Sequence, residues 1–290
     1  MDHSDIAALL ALGAAVFIGI GDVIHQRSAQ EVTAEPVGHV GLFLRLLTDT
    51  RWWLGSLVSA AGFVLQAAAL GLGSVLLVQA LLVTSLLFAL PISARSRSEG
   101  LRRWEWLAAV LLAASVAVIV TVGNPTPGQS RASLTTWGLV VAVLAPVVVA
   151  CVLGANLTRG PTAAVLLALV SGMLWGVFAV LTKGVVQVLS EGIGPLLRSP
   201  ELYAWAAVGI GGTIWQQASF RAGALTASLP TMTITEPIVA SALSVVVLGE
   251  TMRPGDTGWV VLVVAVIVMV AAAAALARGE ATAAAGEPGR

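Results

Sequence analysis

Charge is what this sequence has least of. Only 10% of its 290 residues are Asp, Glu, Lys or Arg, against about 25% in an average soluble domain. Its 15 basic and 15 acidic side chains cancel to a formal net charge of zero. Without a positive field there is nothing to draw in a nucleic acid, so nucleic acid is excluded as a partner. The single cysteine, Cys151, rules out an intrachain disulfide, and no Cys/His cluster has zinc spacing. No cofactor is expected. The opening MDHSDIAALLALGAAVF lacks the basic flank of a signal peptide and runs past a short apolar region, so it reads as a retained span.

What the chain has instead is apolar surface, with 58% hydrophobic residues and a mean hydropathy of +0.94. Apolar segments of about 20 residues match a hydrocarbon core roughly 30 Å thick. Nine are found, at 5–26, 52–71, 73–94, 104–123, 134–156, 161–189, 202–221, 224–249 and 257–277. Residues 28–50 carry Glu31, Glu35, Arg45 and Asp49 around a short apolar piece, and read as an interfacial amphipathic segment. The expectation is an all-α polytopic membrane protein whose partner is the lipid bilayer.

Lys and Arg counted on alternate sides of nine spans give eleven on one side and four on the other, the four being Arg131, Lys183, Arg198 and Arg253. The positive-inside rule then puts the N-terminus outside and the C-terminus in the cytoplasm, in a multi-pass protein of the cytoplasmic membrane. The tail at 279–290 is small, polar and reads as disordered.

The two halves correspond at an offset of roughly 151–156 residues. FIGIGDVIHQR resembles LWGVFAVLTKG, with Arg27 opposite Lys183; WWLG at 52–55 falls opposite YAW at 203–205; Gln66 meets Gln217. The region from Gln79 to Glu99 meets Pro230 to Glu250. This divides the chain into a first half at 1–123, a linker with an extra span at 124–160, and a second half at 161–278. An odd span between two four-span units inverts the second copy, giving two inverted repeats. That architecture belongs to secondary transporters, whose sites lie near the midplane where helices are interrupted.

Glu236 lies midway along ALTASLPTMTITEPIVASALSVVVLGE, where a charge costs roughly 2.5–3.5 kcal/mol on insertion scales. Pro230 and Pro237 leave the carbonyls of Thr226 and Thr233 without helical donors, so an interruption is expected there. Thr231, Thr233 and Thr235 add hydroxyls, and together these residues form a candidate oxygen-rich site for an ion or solute. The alternative reading is a packing kink with Glu236 hydrogen-bonded to a neighbouring helix. Asp22 and His25 lie three residues apart on one helix face and could relay a proton, or could simply line the wet end of their span. Gln66 and Gln217 could orient a solute or join helices. The nine tryptophans read as interfacial anchors rather than ligand-stacking groups. Beyond Asp22 and His25, no span pairs a nucleophile with a base, so the chain is not expected to be an enzyme.

The ending TEPIVASALSVVVLGETMRPGDTGWVVLVVAVIVMV resembles the second half of the drug/metabolite transporter superfamily, the EamA-like fold. FIG at 17–19, WWLG at 52–55 with Gly62 and LQAAAL, the Gly176 to Lys183 spacing and Tyr203 followed by QASFRAGAL resemble its NIPA-type magnesium transporter branch. Phe63 stands where that branch has an acid and Gln66 where it has an asparagine. The resemblance implies alternating-access transport of a small molecule or a divalent cation such as Mg²⁺, with any metal placed at Glu236, and is compatible with a homodimer. The rival expectation is a non-transporting membrane scaffold.

Overall fold

The computed structural model describes residues 3–32, 50–96, 103–222, 225–255 and 258–285, and these are almost entirely helical. In chain order the helices are α1 (His3–Val32), α2 (Thr50–Leu72), α3 (Val75–Leu82), α4 (Ser85–Ser96), α5 (Arg103–Gly123) and α6 (Leu134–Leu157). They continue with α7 (Pro161–Ser190), α8 (Ile193–Arg198), α9 (Pro200–Ala222), α10 (Leu225–Leu248) and α11 (Gly258–Ala285).

Among the described residues, seven helices are long and apolar enough to cross a membrane. Two of the nine expected spans differ from the rest for physical reasons. The segment at 73–94 is two short helices, α3 and α4, parted by a turn at Val83 and Thr84. The helix α9 has 23 residues, but Glu201, Gln216, Gln217 and Arg221 dilute its apolar character. The interfacial segment expected at 28–50 falls mostly outside the described residues, and so does the end of the tail.

Small residues set how closely these helices approach, as expected where lipid supplies no hydrophobic drive for helix association. Ala7, Ala11, Ala14 and Ala15 are fully buried on α1. Gly62 of α2 lies where a Cβ would stand 2.8 Å from Ile18, so the two helices meet almost backbone to backbone. Of the seven span-length helices, the most enclosed is α7. Its Gly172 and Gly176 face Thr235 and Val239 of α10, where added Cβ atoms would stand 2.7 and 2.9 Å away. At the other extreme, α6 buries only Val140 and Ala155 and leaves a valine- and leucine-rich surface outward.

The helix α10 is continuous from Leu225 to Leu248, which corrects the expected interruption at its prolines. Proline deletes one donor and bends a helix, but packing against α7 and hydroxyl back-bonding hold the turns together. One such bond runs from Thr235 Oγ1 to the Thr231 carbonyl, 2.7 Å. The chain instead breaks in its first half, at Gly73 and Ser74 between α2 and α3.

Candidate functional site

A helix that begins inside a protein must find partners for its first four N–H groups. At α3 that requirement is met from two parts of the chain. Ser74 is the N-cap, its hydroxyl accepting from Leu77 N at 3.1 Å, while its carbonyl takes the first regular helical bond, from Val78 N at 3.1 Å. Two more donors, Val75 N and Leu76 N, point to Glu250, at 2.8 Å to Oε1 and 3.0 Å to Oε2. Glu250 reaches them because Gly249, at φ 66°, turns the chain inward after α10, a left-handed conformation that glycine adopts without steric cost.

Lys183 of α7 completes the cluster. Its Nζ lies 2.7 Å from Glu250 Oε1 and 3.0 Å from the Gly73 carbonyl. The side chain of Lys183 is 5% exposed and that of Glu250 is 0% exposed. A carboxylate thus sits between a lysine and a helix N-terminus, where the helix dipole also favours negative charge. The same end is closed by a strap. Thr126 and Thr251 pair as an antiparallel bridge, Gln129 N donates to the Leu248 carbonyl at 2.7 Å and Arg253 N to the Gly123 carbonyl at 2.9 Å.

One turn of α7 joins this cluster to a cavity. Thr182, beside Lys183, accepts a hydrogen bond from Trp205 Nε1 at 2.9 Å. Trp205 stacks on Phe178, 4.9 Å between ring centroids, and Phe63 stacks on Trp175 at 5.6 Å. These four rings line a cavity of about 430 Å³ between α2, α7 and α9. Its polar lining is Ser56, Ser59, Thr213, Gln216 and Gln217, with no charged side chain among the described lining residues. A second cavity of about 250 Å³ lies among α3, α5, α10 and α11 and is almost wholly apolar.

The expected site residues fall in different places. Gln217 is 4% exposed and lines the aromatic cavity. Gln66 is equally buried but lines neither cavity. Thr233 and Pro237 line the apolar cavity. The Glu236 amide lies 3.3 Å from where a Cβ on Gly172 would stand, and Glu236, Thr231 and Thr235 line neither cavity. Among the described residues, no three His, Cys, Asp or Glu side chains gather as metal ligands. Asp22 and His25 belong to α1, but their side chains lie outside the described residues.

Two features escaped the sequence reading. Lys183 enters the charge tally as a loop cation and Glu250 only as the end of a repeat, although a lysine inside the 161–189 run is itself a signal of function. Trp175 and Trp205 line a cavity, a role that the anchor reading does not assign them, and the mid-span place of Trp175 is the available clue.

No family model matches the chain, and no solved structure matches it. An uncharacterized protein of Corynebacterium glutamicum is 37% identical over 267 residues, covering 92% of each chain. At that identity and coverage, this chain belongs to the same family as the corynebacterial protein.

Proposed function

We propose that this protein is a secondary transporter of the drug/metabolite transporter type, moving a small solute across the cytoplasmic membrane by alternating access between two inverted halves. The observation that carries the reading is the buried Lys183–Glu250 pair, which ties α7 and the α10–α11 connection to the broken helix of the first half. Ion pairs within spans are costly and mark pathways and gates. This one closes one end of the molecule while its neighbour Thr182 holds a ring of the cavity.

Helix packing supports the inverted repeat. As α1 packs on α2, so α7 packs on α9, and as α1 packs on α3 and α4, so α7 packs on α10. Counterparts also meet each other, α5 with α11 and α3 with α10. The burial of Lys183 removes it from the loop charges, leaving three cations, Arg131, Arg198 and Arg253, against eleven. That sharpens the orientation with the C-terminus in the cytoplasm. An uncharged cavity lining favours an organic solute over Mg²⁺, which prefers carboxylate and water oxygens.

The test uses a Cys151→Ser background with one reporter, Val78→Cys, at a position 0% exposed just inside the cluster. In proteoliposomes, a membrane-impermeant maleimide should label it slowly from the closed side. Adding Glu250→Gln should raise that rate at least about tenfold. A reporter that stays unlabelled in both proteins would refute alternating access and leave a rigid scaffold.

A further inference from the structure

We propose that the cavity between α2, α7 and α9 binds a flat aromatic solute that carries an N–H donor and no negative charge. The argument begins with one atom. Gln217 Oε1 is buried and has no hydrogen-bond partner among the described residues, on a side chain that lines the cavity. A buried acceptor left unpaired carries an uncompensated desolvation penalty, which a ligand donor reaching it from the cavity would offset.

The walls specify the rest of the ligand. Phe63 and Trp175 lie nearly parallel at 12°, Phe178 and Trp205 at 25°, while Trp175 and Phe178 meet edge to face at 79°. The rings therefore form a two-sided corner rather than a flat plate. The backbone of α9 lies close behind them. A Cβ on Gly209 would stand 2.9 Å from the Phe178 ring, and one on Gly212 3.2 Å from Trp175. A planar ring fits such a corner, gaining offset or edge contacts.

Charge decides what else it carries. Ring faces and an amide oxygen present negative potential, and no cation among the described lining residues offsets them, so a carboxylate or phosphate would meet only neutral hydroxyl and amide donors and no opposite charge. Neutral and cationic N–H groups are both accepted. At about 430 Å³ the cavity lies within the usual range for small-molecule sites. That the ligand is cargo rests on the transport reading; that it binds does not.

The experiment uses four probes with one ring: benzamide, benzamidinium, N,N-dimethylbenzamide and benzoate. Binding to the purified full chain in nanodiscs is followed by saturation-transfer NMR, with empty nanodiscs as the blank. Benzamide and benzamidinium should bind saturably, with the dimethyl amide and benzoate at least about tenfold weaker. Gln217→Met should abolish the difference between benzamide and its dimethyl form. Gln217→Glu, which still accepts, should keep that difference and favour benzamidinium. Should Gln217→Met fail to fold, Phe63→Leu serves, weakening benzamide and benzamidinium alike while leaving the donor preference. Equal binding of all four probes to the wild type, or a donor preference that survives Gln217→Met, would overturn the proposal. Saturable binding without flux in proteoliposomes would leave the site standing and remove the cargo role; flux of benzamide without binding here would do the reverse.

Discussion

Replacing Glu250 by glutamine keeps the side-chain shape and one acceptor oxygen while deleting the charge opposite Lys183. At 2.7 Å the gross attraction is about 6 kcal/mol for an effective dielectric of 20. Most of that offsets desolvation of two buried ions, so the intact pair adds little net stability. The single variant is another matter. Lys183 would be left with only the Gly73 carbonyl and one amide oxygen, and the new NH₂ would face a backbone N–H of Val75 or Leu76. The expected loss is about 3–5 kcal/mol. Lys183→Met should cost less, roughly 2 kcal/mol, because Glu250 keeps two charge-assisted bonds from the α3 N-terminus. The double variant strands no charge and should be more stable than Glu250→Gln alone, with a coupling of about 2–3 kcal/mol. Reversible unfolding in mixed micelles, followed by far-UV circular dichroism, measures all four proteins. Strict additivity, or a Glu250→Gln loss under about 1 kcal/mol, would refute the reasoning that this pair is dry and mutually dependent.

Two further outcomes follow from the geometry and a third from the sequence. Gly176→Val should force α7 from α10, since even its Cβ would meet Val239 at 2.9 Å and the Ala240 amide at 3.0 Å; about 1–3 kcal/mol should be lost in the same unfolding measurement. Arg131→Ala removes an ion pair with Glu201 at 2.6 Å, but the arginine side chain is 41% exposed; it should shift stability by no more than about 1 kcal/mol, less at high salt. Glu236→Gln tests the sequence expectation by itself, since Glu236 lines neither cavity: a transport role for its mid-span charge requires solute flux in proteoliposomes to fall tenfold or more, and unchanged flux would remove Glu236 from the transport path.

How much of this was legible in the sequence follows the range of each interaction. Helices and their membrane character depend on local composition, and the boundary before α3 was readable because Gly73 and Ser74 precede an apolar run. The turn at Val83 and Thr84 was not, since VLLVQALLVTSLLFAL carries no glycine or proline there and Thr84 and Ser85 are tolerated within a helix. Proline chemistry suggested a break in α10, yet the helix runs through both prolines, packed along α7. The Lys183–Glu250 pair spans 67 residues and the capping of Val75 spans 175. Periodicity and spacing carry no information at such separations. Gln217 was found because the repeat drew attention to it, whereas the rings beside it come from three helices that only folding brings together.

The cap on α3 also bears on how the chain is made. The carboxylate that receives the Val75 and Leu76 amides leaves the ribosome 175 residues after Val75, a wait of roughly 10–35 s at common synthesis rates. Until then the nascent first half must hold an unfinished helix start within or beside the translocon. Assembly of the N-terminal half thus waits on a residue made 175 positions later, and chains truncated before Glu250 would present quality-control proteases with an open helix end.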